Sequence, residues 1–217
     1  MKLAVKQILD ELIKRYPVLE GEKEHILNAY AILETCFQTD GKLLIAGNGG
    51  SAADAEHIVG ELMKGFLRPR SIGRELSKEL YTVDRQMGEK LSIKLQGALA
   101  AIALTNHTAL STAYLNDADP LLGFAQQVYG YGTRGDVLLG ISTSGNSGNV
   151  LYACVTARAL GMKVIALTGR DGGRLKAFAD AAVTVPKKET YQIQELHLPV
   201  YHAWCLMLEE QFFGEGE

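Results

Sequence analysis

Val5, Ile8, Leu9, Leu12, Ile13 and Tyr16 recur at steps of three and four, which places them on one side of an amphipathic helix ending before Pro17. Ile26, Leu27, Tyr30, Leu33 and Phe37 repeat the period in a second helix. Two helices ahead of any strand need a sheet or a partner chain to cover their apolar faces, so oligomerisation is expected. Beyond Lys42 the pattern changes. KLLIAG, ALAAIAL, DVLLGIS, KVIALTG and AAVTVP are too short for helices and nearly continuously apolar, as strands buried on both faces are. Helix-length segments such as SAADAEHIVGELMKG and SGNVLYACVTARALGM lie between them. A last helix runs from about Thr190 to Phe213, carrying Ile193, Leu196, Val200, Leu206 and Leu208. Alternation of strand and helix produces a parallel sheet with both faces covered. The predicted fold is therefore α/β, a three-layer α/β/α domain with a five-stranded parallel sheet and two N-terminal helices.

The organisation expected is a single domain over residues 1–217, with the N-terminal helices in 1–40. One segment stands apart. Arg68 to Lys94 is a charged stretch longer than usual connections between a strand and the next element. Eight Lys or Arg against four Asp or Glu between Lys64 and Lys94 make it locally basic. It reads either as a solvated helix or as a flap facing a phosphate.

Composition narrows the function class. The chain is 47% hydrophobic and 22% charged, ordinary globular values. A formal charge of −3 argues against nucleic-acid binding, which needs clustered surplus Lys and Arg, and favours a small ligand. Cys36, Cys154 and Cys205 are odd in number and widely spaced, and read as reduced core residues. MKLAVKQILDELIKRYP lacks the layout of a signal peptide, and no apolar run reaches the roughly 18 to 20 residues of a membrane span. A cytoplasmic location and no membrane partner are expected.

In an open parallel sheet, ligands bind beyond the carboxyl ends of the strands. Two loops there carry chemistry. Gly47-Asn48-Gly49-Gly50-Ser51 lets the backbone approach a ligand just before a helix begins with unpaired N–H groups. Ser142-Thr143-Ser144-Gly145-Asn146-Ser147 gathers four hydroxyls before a helix starting near Gly148, enough donors for a phosphate without Lys or Arg. The plainer reading is a polar turn with Ser147 as a helix cap. Asn116 and Asp117, after a short helix, are candidates for sugar hydroxyls or simple turn formers.

His57 and Glu61 stand four residues apart on the helix after the glycine loop, a spacing that suits one metal ion or a surface polar contact. The final helix offers Gln194, Glu195, His197 and His202. On an ideal helix Glu195 lies nearly in line with His202, Gln194 is about 80° away and His197 about 140°. Periodicity alone does not choose Gln194, and His197 is not expected to share a ligand sphere with His202. His25 and His107 lack partners at metal spacing.

AGNGGSAADAEHIVGEL, ISTSGNSGNV, KVIALTGRDGG and IQELHLPVYH together resemble the sedoheptulose 7-phosphate isomerases, or phosphoheptose isomerases, of the sugar isomerase (SIS) domain superfamily. The resemblance runs from about Lys42 to the C-terminus and is broken by Arg68 to Lys94. It implies a flavodoxin-like sheet, a homotetramer with shared sites, and zinc held by His57, Glu61, Gln194 and His202. It also implies substrate contacts from Asn48, Gly49, Gly50 and Ser51, from Ser142, Thr143, Ser144 and Ser147, and from Asn116, Asp117, Glu61 and Gln194. The chain departs from the family at Tyr191, where an Asp commonly stands three residues before the glutamine.

The chemistry expected is metal-assisted interconversion of ketose and aldose phosphates through an enediol. Glu61 is the candidate base beside a polarised carbonyl, and His202 returns the proton. Two other readings compete: a non-catalytic SIS module that binds a replication initiator or senses sugar phosphates, and an SIS isomerase of a pentose or hexose phosphate.

Overall fold

A computed structural model describes residues 2–214. The amphipathic N-terminal pattern folds as α1 (Leu3–Arg15) and α2 (Lys23–Gln38), joined by a 3₁₀ turn over Pro17–Glu22. Then follow β1 (Leu43–Gly47), α3 (Gly50–Met63), α4 (Arg74–Val83), α5 (Arg85–Lys94) and β2 (Ala101–Ala103). The chain continues through α6 (Thr108–Asp117), α7 (Gly123–Tyr131), β3 (Val137–Ser142), α8 (Gly148–Ala159), β4 (Lys163–Gly169), α9 (Gly173–Phe178), β5 (Ala181–Val185) and α10 (Thr190–Phe213).

All strand pairs are parallel, in the order β2-β1-β3-β4-β5, so the three-layer expectation holds. Alternate residues of each strand feed two cores. Leu43, Ile45, Leu139 and Leu167 pack toward α1, α2, α3 and α10. Leu44, Ala46, Leu138 and Ala166 pack toward α7, α8 and α9. Because both faces are covered, the strands read as apolar runs rather than as alternation. Trp204 Nε1 donates to the Ile26 carbonyl at 3.0 Å and fixes α10 against α2. Cys36, Cys154 and Cys205 are buried free thiols. Burial pushes Cys154 up to about 12, so it is inert as a nucleophile.

Two elements differ from the sequence expectation. The run ALAAIAL gives only three strand residues, because the Leu99 N–H bonds the Leu62 carbonyl at the end of α3 instead of a neighbouring strand. Arg68 to Lys94 is not one solvated helix but a hairpin of α4 and α5, packed mainly on each other. Only Gly88 within the two helices is buried.

Candidate active site

β1 lies between β2 and β3, so the chain leaves β1 and β3 in opposite directions and opens a crevice at their carboxyl ends. A cavity of about 300 Å³ sits there, lined by Asn48, Gly49, Gly50 and Ser51 from the first loop and by Ser142, Thr143 and Ser147 from the second. Thr190 and Gln194 of α10 complete it. Gly50 lets the Gln194 amide come close, since a Cβ there would lie 2.5 Å from Gln194 Nε2 and push that side chain aside. Gly145 has φ +65° and its missing Cβ would collide with the Gly172 carbonyl, so the second loop can fold only with glycine at that point.

The Ser142 and Ser147 hydroxyls are 2.9 Å apart. Ser147 does stand at the N-cap position of α8, but its hydroxyl makes no cap bond to the helix and meets Ser142 instead. Ser144 turns away, accepting from the Asn146 N–H at 3.2 Å and lining a neighbouring cavity with Arg170 and Lys188. Asn48 is held by two reciprocal amide bonds to Asn149, each 2.9 Å. Asn116 and Asp117 occupy the last turn of α6 rather than a loop beyond it, exposed and hydrogen-bonded to each other at 2.8 Å. The cavity on that side is lined by Ser111, Tyr114 and Leu115 instead.

From this cradle α3 and α10 run side by side in the same direction. Gly50 meets Gln194, Asp54 meets Tyr201, and His57 meets Tyr201 and His202. His57 Nε2 is 3.3 Å from Glu61 Oε1 and 3.4 Å from His202 Nε2. The four-residue spacing of His57 and Glu61 thus does bring them together. Two ligands about 2.0–2.1 Å from one tetrahedral ion stand roughly 3.3–3.4 Å apart, so each pair fits a shared zinc, and two imidazoles with one carboxylate form a known catalytic donor set. The fit is pairwise: among the described residues no three His, Cys, Asp or Glu side chains close into a complete cage. Gln194 belongs to the cradle, its amide against Gly50 and its backbone two turns, about 12 Å, from His202 along α10.

Asp54 and Tyr201 are additions that the sequence reading did not single out. Tyr201 donates to Asp54 Oδ1 at 3.2 Å, so its oxygen accepts from His57 Nδ1 at 3.1 Å. That chain of bonds keeps the proton on Nδ1 and leaves the Nε2 lone pair facing Glu61 and His202. Burial raises the Asp54 carboxyl above the usual range, against the opposing pull of Tyr201 and His57. Burial, and then the neighbouring His57, lowers the His202 imidazole. Asp54 could have been found by extending the three- and four-residue rhythm of His57 and Glu61 backward. Tyr201 gave no signal beyond a core aromatic. His197 is fully buried, its Nε2 bonded to the Thr168 carbonyl at 3.2 Å, apart from the His57–His202 pair as expected.

The SIS domain pattern matches residues 7–81 and 93–169 of this chain. A phosphoheptose isomerase of a Nitratiruptor species is 39% identical over 207 residues, covering 95% of this chain and 97% of that protein. The chain belongs to the phosphoheptose isomerase family of SIS domain proteins. Another phosphoheptose isomerase, from Helicobacter pylori, is 40% identical over 194 residues, or 89% of this chain and 88% of that one. The solved phosphoheptose isomerases of Neisseria gonorrhoeae and Francisella tularensis share 36% and 30% identity, with TM-scores of 0.73 and 0.74. Each covers 95% of this chain and 97% of its own. The stretch that the SIS pattern skips, residues 82–92, falls on the end of α4 and most of α5.

Proposed function

We propose that this isomerase converts sedoheptulose 7-phosphate to D-glycero-D-manno-heptose 7-phosphate, with the phosphate in the Ser142–Ser147 cradle and the carbonyl end beside His57, Glu61 and His202. The observation that carries the reading is the ladder along α3 and α10, which sets an anion cradle and an imidazole pair about two helical turns apart. Two turns and a fraction, eight residues from Gln194 to His202, rise about 12 Å. Three bonds advance an extended chain by about 3.5 Å, so the eight bonds from C1 to phosphorus of a heptulose phosphate reach roughly 9 Å. Side chains at both ends cover the remainder, whereas a pentose phosphate falls about two bonds shorter, which favours the heptose.

His57, Glu61 and His202 would hold a zinc ion, and Gln194 grips substrate on the cradle side. When bound, zinc supplies Lewis-acid polarisation of the substrate carbonyl. The Glu61 carboxylate, 13% exposed, removes the proton from the neighbouring carbon and gives the enediol. His202 then returns a proton to the adjacent carbon. Asp54 and Tyr201 keep His57 in the tautomer that points its lone pair inward.

The assembly in this reading is a homotetramer acting on a small phosphorylated sugar rather than on nucleic acid. No helix among the described residues is long and apolar enough to cross a membrane. Three buried free thiols suit a reducing cytoplasm. The test is an assay with sedoheptulose 7-phosphate alongside zinc analysis of the purified protein. Stoichiometric zinc and turnover are expected, with Glu61→Gln folded and slower by at least about 10³-fold in kcat. Near-normal turnover by Glu61→Gln removes Glu61 from the base role, and a zinc-free protein inert toward phosphorylated ketoses removes the reading.

A further inference from the structure

The candidate site ends where α3 ends, and a buried ion pair sits just beyond it. Arg70 is 0% exposed at its side chain and Glu209, on α10, is 2% exposed. Arg70 Nε donates to Glu209 Oε1 at 2.9 Å. Its two remaining nitrogens reach the last turn of α3, Nη1 to the Leu62 carbonyl at 2.8 Å and Nη2 to the carbonyl of Glu61 itself at 3.1 Å. The guanidinium also lies over the Phe213 ring, 4.6 Å from its centroid.

Glu209 is as fully used. Oε1 accepts the Phe66 N–H at 2.8 Å, and Oε2 accepts the N–H groups of Leu67 at 2.8 Å and Arg68 at 3.3 Å. Burial alone would raise this carboxyl, but those N–H groups and Arg70 hold it below the usual range. The loop so pinned touches the site: the Phe66 ring lies 5.4 Å from the His202 ring, and Arg68 lines the same groove as His202. One ion pair therefore fixes the backbone of Glu61, the helix that carries His202, and the aromatic that packs on His202.

We infer that Arg70 and Glu209 are positioning residues for the isomerisation, setting Glu61 and His202 relative to each other. Stability does not account for such a pair, because replacing a buried ion pair with packed apolar residues is often neutral or stabilising. The last carbonyls of a helix can be satisfied by a glycine turn or by water. What the planar fork adds is a fixed geometry between three chain segments. A shift of about 1 Å between catalytic groups can cost about 10²-fold in rate.

The inference rests on the function proposed above, and the test separates the two. Arg70→Lys keeps the charge against Glu209 but cannot reach both carbonyls at once. Measured on the protein as purified, kcat should fall about tenfold or more while KM stays within about threefold. The ring ¹H–¹⁵N signals of His57 and His202 should move, with those of His25 and His107 unchanged. Glu209→Gln should produce the same split. A folded variant of either kind with unmoved His57 and His202 signals, or with wild-type kcat, overturns the inference, as does failure of both variants to fold, which would make the pair structural. If the wild type turns over no heptulose phosphate the proposed function falls, and the ring signals still decide the positioning role.

Discussion

His197 and His202 stand five residues apart on one helix and meet opposite environments. His197 has no solvent exposure, and burial, opposed only by its bond to the Thr168 carbonyl, lowers its pKa to about 4 from 6.5. A histidine neutral in the fold binds fewer protons than in the unfolded chain, so it favours the fold above pH 6.5 and that contribution is lost as pH falls toward 4. The slope reaches about 1.4 kcal/mol per pH unit over that window. His197→Gln, which can still donate to the carbonyl, should lack this component. Denaturant midpoints from pH 7 to pH 4 should fall more steeply for the wild type, and parallel curves would show that His197 does not carry it. At this scale the site was only partly legible. His57 and Glu61 are readable because an i, i+4 pair lies on one helix face. The meeting of His57 with His202 is not, because it depends on how α3 packs against α10. Gln194 is legible only through the resemblance, which makes it both a metal ligand and a substrate contact, because periodicity does not choose it; in the fold its amide lies against Gly50 in the cradle.

Elements were more legible than contacts, since period and turn chemistry are local. The five strands and the span of α10 follow from apolar runs and helical rhythm. The Arg68 to Lys94 stretch did not, because its apolar side chains find nothing in this chain to cover them. Val83, Met87 and Ile93 are 86%, 67% and 71% exposed, and α4 and α5 pack chiefly on each other. The hairpin closes at its base, where Ser71 pairs antiparallel with Gln96 and the Gly97 N–H bonds the Arg70 carbonyl at 2.9 Å. Beyond Arg68 its residues line none of the cavities described, so the flap reading has no support from the fold. Removing residues 74–94 leaves Ile72, Gly73 and Leu95 between the paired Ser71 and Gln96, the length of a common three-residue hairpin loop. The shortened chain should fold with a stability within about 1 kcal/mol of the full chain, because no element of the core is touched. Equilibrium denaturation measures this, and a loss of several kcal/mol would show that the hairpin carries part of the core's stability.

At the scale of the molecule, the two N-terminal helices are covered on one side only. α1 packs on α10, and between them a groove of about 500 Å³ is lined by Ile8, Leu12, Leu198, Pro199 and Leu206, with His202 on its wall. Leu198 is 40% exposed there, and Pro199 within the helix removes an N–H that would bond the Glu195 carbonyl. A groove with an apolar floor, rimmed by Glu11, Arg15, Arg68 and Glu210 and holding the side chain proposed as catalytic, suits closure by a second copy, which ties activity to assembly in the homotetramer proposed here. Light scattering should then give a mass near four times the 23.6 kDa of the chain. Leu198→Asp places a charge where a partner's apolar surface would have to cover it, at a cost of several kcal/mol. That variant should shift to smaller species and lose kcat together, because His202 would face open water instead of an enclosed groove. A monomeric Leu198→Asp protein with undiminished turnover would show that each chain works alone and that the groove serves some purpose other than completing the site.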